Sequence, residues 1–406
     1  MIESATASTF DLEIAEVDAV CETARQTQRA WAQRADQTLL DRAALAAAWA
    51  LMQPDRNREL AELAVATTGL GRVEDKVVKN HRKTLGLLRD LQGVASCGVI
   101  RRLPDLGLTE IARPIGVIGA VVPSTNPLAT PVNNAVNALK CGNAIVLSPS
   151  PKGSEACARL LEYMHAELDR AGIPKELVQM LPRPSSKAKT NRLMQQVDLV
   201  VVTGSQANVR AAYSSGTPAI GVGAGNVAVI VDETADTAAA GGKIAASKCF
   251  DNATSCSSEN ALIVVGEVYE EMLTALAAAG GILLTPDERE RLIAAHWQNG
   301  HLNSGVLAKD IDVLIRTCGL DRLDPTQTRF VVAEESGVGP GYLLSGEKMS
   351  LALTLYRVAD FEQAKSLADR LLRHQGAGHS VGLHTVRRER ALELAQALPT
   401  CRVIVT

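Results

Sequence analysis

The sequence predicts an α/β fold of doubly wound parallel sheets covered by helices on both faces, and three observations predict it. Short apolar runs such as Ile115–Val122, Ala144–Leu147 and Leu199–Val202 recur between helix-patterned segments. Runs of that length and character read as strands buried on both faces. Strand and helix patterns then alternate from about residue 115 onward, which calls for crossover helices between parallel strands. Finally, 46% of the 406 residues are apolar but only 3% are aromatic. The Ala- and Val-rich remainder suits helices packed closely on a sheet better than an aromatic-lined groove.

In chain order, residues 11–53 carry apolar positions at helical spacing (Ile14, Val17, Val20, Ala24, Trp31, Leu40) and predict two helices. Further helices are expected at 56–68, ended by Thr-Gly-Leu-Gly, and at 73–91. Residues 98–112 contain two β-patterned segments about a Pro-Asp-Leu-Gly turn and predict a hairpin. The α/β rhythm follows, with strands at 115–122, 144–147, 177–181 and 199–203 and helices at 131–140, 154–171, 187–196 and 208–214. A second α/β unit is expected from about Ala261, with strands at 261–265, 328–332, 351–356 and 380–383 and helices at 268–278, 286–295 and 361–372.

Composition narrows the function classes. A net charge of −3 supplies no field for nucleic acid, so a small-molecule partner is expected. No apolar stretch is long enough to span a bilayer and no signal-peptide pattern opens the chain, which predicts a cytoplasmic protein with no membrane partner. The eight cysteines lack CxxC spacing, suggesting neither a metal site nor a disulfide framework, and most are expected to be reduced core residues.

One cysteine stands apart. Cys256 sits in Phe250-Asp251-Asn252-Ala253-Thr254-Ser255-Cys256-Ser257-Ser258-Glu259, among small polar residues just ahead of an apolar run. A thiol with little bulk around it and backbone N–H groups nearby is placed to attack a carbonyl. The alternative is an unreactive core thiol. There is no GxGxxG, but Thr203-Gly204-Ser205 closes an apolar run and forms a turn through which backbone N–H groups could approach a phosphate.

Longer motifs carry a resemblance. Arg113-Pro114-Ile115-Gly116-Val117-Ile118-Gly119-Ala120-Val121-Val122-Pro123-Ser124-Thr125-Asn126-Pro127, followed by Leu139-Lys140-Cys141-Gly142-Asn143-Ala144, resembles the aldehyde dehydrogenase superfamily. More narrowly, it is similar to the CoA-acylating branch. Val202-Thr203-Gly204-Ser205, Gly221-Val222-Gly223-Ala224-Gly225-Asn226, the Cys256 loop and Gly376-Ala377-Gly378-His379-Ser380 match in the same order.

The resemblance implies a Rossmann-like cofactor domain over residues 1–260, with the hairpin as an oligomerisation element, and a catalytic domain over 261–406. The thiol loop 250–259 would lie at their boundary, the chain would return to the cofactor domain near its end, and an oligomerisation tail would be missing after Thr406. It further implies that Cys256 attacks an aldehyde and that Asn126 steadies the oxyanion. NAD or NADP would be held by Pro123, Ser124, Thr125, Ser148, Thr203, Gly204, Ser205, Gly223 and Glu347. Glu347 matches the glutamate that holds the nicotinamide ribose, although an exposed Glu-Lys pair would look the same in sequence. Ser148 stands where the family usually has a lysine for the adenine ribose, which leaves NAD against NADP open.

Hydrolytic members carry a Glu-Leu-Gly-Gly-Lys motif whose glutamate activates water, and Val222 stands at that position. A thioester without a base beside it survives until an external thiol arrives. Coenzyme A is the thiol the branch uses, and His379 is the remaining base for its proton. The expected function is therefore NAD(P)-dependent, CoA-acylating oxidation of a short aldehyde (acetaldehyde, propionaldehyde, succinate semialdehyde or sulfoacetaldehyde) by a homodimer or homotetramer. A non-acylating dehydrogenase and a catalytically weak scaffold are the competing readings.

Overall fold

The computed structural model describes residues 9–406 and divides them into two compact units. The first runs from the N-terminal helix to Gly69 and from Val73 to Gly223; the second comprises Leu70–Arg72 and Ala224–Thr406.

The first unit opens with four helices, α1 Thr9–Ala32, α2 Gln37–Met52, α3 Pro54–Thr68 and α4 Val73–Leu91. Asp36 caps α2 by accepting from the Leu39 N–H at 2.8 Å, and Gly69 ends α3 in the left-handed conformation that costs glycine least. The hairpin β1 Gly98–Leu103 and β2 Leu108–Ala112 stands out with Val99, Leu106, Leu108 and Ile111 exposed. The α/β part follows as β3 Val117–Val122, α5 Ala129–Lys140, β4 Ala144–Pro149, α6 Ser154–Arg170, β5 Val178–Met180, α7 Lys187–Gln196, β6 Leu199–Thr203, α8 Gln206–Tyr213 and β7 Ala219–Val222.

Its five strands are parallel in the order β5-β4-β3-β6-β7. The chain therefore winds outward from β3 in one direction and resumes at β6 in the other. Connections leaving these two neighbours diverge, so a crevice opens at their carboxyl ends, where ligands of doubly wound sheets bind. At the amino ends polar side chains close the sheet. Asp198 accepts from the Val117 N–H at 2.7 Å and Asn143 from the Ile115 and Gly116 N–H groups at 2.7 and 3.0 Å.

The second unit contains β8 Val227–Val231, α9 Thr237–Cys249, β9 Glu259–Val265, α10 Tyr269–Ala278, β10 Gly281–Leu283, α11 Pro286–His296, the short pair β11 Trp297–Gln298 and β12 His301–Leu302, α12 Ile311–Cys318, β13 Phe330–Glu334, β14 Ala352–Val358, α13 Phe361–His374, β15 Ser380–His384, α14 Glu389–Ala397 and β16 Arg402–Val405. Seven strands form one parallel sheet in the order β10-β13-β14-β9-β8-β15-β16. Two cores flank it. Val227, Val229, Leu262 and Val264 pack with α9, α10, α11 and α12, while Ala228, Ile230, Ala261 and Ile263 pack with α13 and α14. That alternation is the pleat of strands buried on both faces.

Several expectations need correction. The boundary falls at Gly223 rather than near residue 260, because β8 pairs in parallel with β9 and so belongs to the second sheet. The thiol loop accordingly lies inside the second unit, not at a boundary. The chain also stays in that unit to its end, since β16 pairs with β15. Of the eight cysteines only Cys21, Cys157 and Cys318 are buried, and none forms a disulfide. Unexpected elements are β7, β8, β10, β11, β12, β16, α9, α12 and α14; in α9 the Gly241-Gly242 pair hides the helical pattern. A Cβ at Gly241 would fall 2.9 Å from Ala275, so this glycine lets α9 lie close against α10. No helix among the described residues is long and apolar enough to cross a membrane.

Candidate active site

In the first unit the crevice at β3 and β6 gathers most of the expected cofactor residues. Pro123, Ser124, Thr125 and Asn126 leave the carboxyl end of β3 and are half-buried. Thr203, Gly204 and Ser205 leave β6, which pairs with β3 through Val121 and Val202. The Asn126 amide has no hydrogen-bond partner among the described residues. Ser205 caps α8, its Oγ accepting from the Asn208 N–H at 3.3 Å. Gly204, at φ +155°, would carry a Cβ into open space, with only Asn208 Nδ2 as near as 3.8 Å. Its bareness leaves room for a ligand to approach the backbone.

The neighbouring strand β4 contributes differently. Ser148 is buried and its hydroxyl shares a 2.9 Å hydrogen bond with Thr190 of α7, so the side chain is satisfied within the unit. Ser150 Oγ, two residues on, is a buried atom with no partner among the described residues. An unsatisfied hydroxyl, an open glycine turn and a helix N-terminus at a switch point fit a phosphate-bearing ligand. Gly223 follows β7, and a Cβ there would meet the Gln206 side-chain oxygen at 1.9 Å. Val222, at the end of β7, is exposed.

In the second unit the expected residues meet at the amino ends of the strands. Cys256 precedes β9, Glu347 precedes β14 and His379 precedes β15. Two glycines weld this edge. A Cβ on Gly225 would fall 2.2 Å from the Cys256 carbonyl oxygen, and one on Gly376 would fall 2.7 Å from the Asn226 backbone nitrogen. The Gly225 N–H also favours the charged form of the Glu347 carboxylate, so one residue bears on both the thiol's backbone and the acid.

The loop carrying the thiol is held under strain. Asp251, Asn252 and Ala253 have φ of 50, 51 and 59°, a left-handed run that costs non-glycine residues roughly 1–2 kcal/mol each. Such a run survives only where neighbours over-determine it. Asp251 Oδ1 accepts from the Arg72 N–H at 2.8 Å, its other oxygen accepts from Thr254 Oγ1, and the Asn252 amide donates to Asp310 Oδ1 at 2.9 Å. Cys256 emerges from this brace exposed.

Behind the loop lies a buried polar frame. The Asn226 amide donates to the Ser345 carbonyl at 2.8 Å, and the Asn260 amide donates to Asn226 Oδ1 and to the Gly346 carbonyl. Lys348 is fully buried, with Nζ donating to the Leu344 carbonyl at 2.8 Å, and burial drives its pKa well below the ordinary lysine value. The alternative of an exposed Glu-Lys pair is therefore not what the structure contains. Burial also pushes Glu347 up to about 7, against the Gly225 N–H and the charges of Lys248 and Lys348. Lys248 is buried too; it donates to the Glu259 carbonyl at 2.9 Å and is pushed down to about 8.

His379 is fixed through its main chain. Its N–H donates to the Gly376 carbonyl at 3.1 Å and its own carbonyl accepts from Thr400 Oγ1 at 2.9 Å. The ring is half-buried. Sequence reasoning did not single out Lys248, Asn260 or Lys348. Two of these are lysines beside apolar runs, a signal that reads as surface charge until the fold buries them.

The model of the aldehyde dehydrogenase family matches residues 3–290. The chain belongs to the aldehyde dehydrogenase family. It is 57% identical over 389 residues to a sulfoacetaldehyde dehydrogenase (acylating) of Cupriavidus necator, covering 96% of this chain and 79% of that protein. An acetylating aldehyde dehydrogenase of Geobacillus thermoglucosidasius superposes with a TM-score of 0.92 at 34% identity, over 98% of this chain and 88% of that one. A Rhodopseudomonas palustris propionaldehyde dehydrogenase with bound propionyl-CoA gives a TM-score of 0.84 at 26% identity, over 100% and 89% of the two chains. This aldehyde dehydrogenase thus falls with the acylating members and is an oxidoreductase acting on aldehydes.

Proposed function

We propose that this chain is an acylating sulfoacetaldehyde dehydrogenase that converts its aldehyde to the CoA thioester with reduction of NAD or NADP. The observation that carries the reading is the identity, over nearly the whole chain, to an acylating sulfoacetaldehyde dehydrogenase. Val222 supports the acylating outcome, since an isopropyl group at the end of β7 activates no water.

In this reading Cys256 Sγ, as thiolate, bonds to the aldehyde carbon, and the Asn126 amide keeps the oxyanion-donor role the family gives its position, a contribution of about 3 kcal/mol to a transition state. NAD or NADP, when bound, supplies the hydride acceptor. Pro123–Thr125 and Thr203–Ser205 would hold its phosphates at the β3/β6 crevice, and Glu347 its ribose. With the hydride gone from the substrate carbon, a thioester remains on Cys256. His379 takes the proton of the incoming CoA thiol, whose sulfur bonds to the acyl carbon and displaces Cys256 as the thiolate. The exposed apolar residues of the β1–β2 hairpin support assembly into a homodimer or homotetramer, and the composition supports a cytoplasmic location.

The test is the CoA-dependence of NADH formation from sulfoacetaldehyde. One equivalent of NADH per thiol without CoA, then sustained turnover with CoA and sulfoacetyl-CoA as product, is expected. Free sulfoacetate as the main product would overturn the acylating reading. Val222→Glu should shift the product toward the free acid by several-fold, by placing a carboxylate where water can reach a thioester.

A further inference from the structure

If the substrate carries a sulfonate, the anionic group lies one carbon from the carbonyl that Cys256 attacks, so a cation on a segment tied to the thiol loop is well placed to meet it. Lys248 and Arg72 are two of the basic residues bonded to that loop. Lys248 is fully buried, and its ammonium is spent on the Glu259 carbonyl at 2.9 Å. Arg72 is bonded from the other side: its main-chain N–H donates to Asp251 Oδ1 at 2.8 Å, five residues ahead of the thiol. Its side chain is exposed, and its guanidinium pairs with no acid among the described residues.

The arrangement around Arg72 is built rather than incidental. Leu70–Arg72 lies between α3 and α4 of the first unit yet belongs to the second. Gly71 donates to the Ala308 carbonyl at 3.0 Å, and the same carbonyl accepts from the Asn252 amide at 3.4 Å, so a second residue of the strained run shares a partner with this short segment. The Asp251 carboxylate is occupied by the Arg72 N–H on one oxygen and by Thr254 Oγ1 on the other. The acid nearest in the bonding scheme is thereby committed to shaping the loop.

We infer that Arg72 is a specificity-determining residue, whose guanidinium holds the anionic end of the aldehyde, a sulfonate in the reading above, while Cys256 takes its carbonyl carbon. A guanidinium presents a planar fork of donors to two oxygens of a tetrahedral anion, and it remains charged at every working pH, as does a sulfonate. The inference rests on the reading of Cys256 as the acylated thiol.

The experiment compares sulfoacetaldehyde with propionaldehyde, an uncharged aldehyde, in the full chain and in Arg72→Met and Arg72→Lys. The main-chain bond to Asp251 survives both substitutions, so the loop brace is retained. Arg72→Met should raise the KM for sulfoacetaldehyde and lower its kcat/KM by about 10²-fold, with propionaldehyde kept within about twofold; Arg72→Lys should fall between. Equal loss for both aldehydes would assign Arg72 to the loop, and unchanged preference would put the cation elsewhere; either result overturns the inference. A parent chain that forms no NADH from any aldehyde would sink the functional reading and this inference together, whereas preserved propionaldehyde turnover isolates a failure of the inference alone.

Discussion

The two parallel sheets of this protein carry their candidate site residues at opposite ends of their strands. In the first unit Asp198 and Asn143 tie the amino ends, leaving the carboxyl ends of β3 and β6 for the candidate cofactor residues. In the second unit the carboxyl ends are tied instead. Arg390 donates to Glu233 at 2.9 Å and also to Asp232, while the Thr234 N–H donates to Asp232 at 2.8 Å. There the thiol, Glu347 and His379 collect at the amino ends. The difference teaches that topology alone locates only one of the sites. A switch point follows from strand order, whereas a site at amino ends needs a strained loop and a buried polar frame to hold it.

The largest effect expected from breaking this comparison is at the thiol. Cys256→Ser should lower NADH formation by at least about 10³-fold, because a hydroxyl without an adjacent base is a poor nucleophile, while dinucleotide binding to the first unit persists. Stopped-flow absorbance and a fluorescence titration with NADH measure the two halves on one sample. Retention of a tenth of the activity would mean that another residue attacks.

Next come the glycines, which should fail for different reasons in the two units. Gly225→Ala forces a Cβ to within 2.2 Å of the Cys256 carbonyl oxygen and displaces the thiol loop, so kcat should fall by about 10²-fold. Gly204→Ala meets no atom closer than 3.8 Å and suffers only its backbone angle, about 1 kcal/mol, which should appear as a few-fold rise in the KM for dinucleotide. Similar losses in both variants would remove the distinction between the two ends.

His379→Asn separates steps within the second unit. The pre-steady-state burst of NADH should be nearly normal, while steady-state turnover with CoA slows by about 10²-fold, since an amide keeps a hydrogen bond but takes no proton. Equal slowing of both phases would make His379 a packing residue.

The smallest effect concerns what keeps the second unit folded. Glu288 and Thr285 form a reciprocal cap on α11, and Arg322 grips the same carboxylate at 2.8 and 2.9 Å. Arg322 first, aided by the Thr285 N–H, holds Glu288 down to about 2 against its burial. A lowered carboxylate stabilises the fold above its ordinary value of 4.5, and that stability is lost as pH falls through about 2. Glu288→Gln should therefore cost about 1–2 kcal/mol at neutral pH, with the difference from the parent shrinking between pH 4.5 and 2. Trp297, directly after α11, offers a fluorescence probe for urea unfolding at each pH. A constant difference across that range would show that the cap acts by shape alone.

Much of this was legible from sequence because it is local. Helices α4 and α7 and strand β6 begin and end where periodicity puts them, since amphipathic spacing and apolar runs report burial directly. The ordered motifs and the valine at 222 are local features of the sequence, and they carry the resemblance to the family and its acylating branch. What the tertiary structure decided is everything that depends on which segments meet. The domain boundary moved to Gly223 because β8 and β9, separated by a glycine-broken helix, pair in one sheet. Lys248 and Lys348 look like surface residues in sequence, yet the sheet's amino edge closes over them, and that burial pulls their pKa values down, aided at Lys348 by the charge of Lys248. The left-handed run before Cys256 is invisible in Asp-Asn-Ala because the conformation is imposed from Arg72 and Asp310, residues remote in the chain. A sequence determines strands and helices through their own neighbours; a strained loop and a buried charge are properties of the contacts that enclose them.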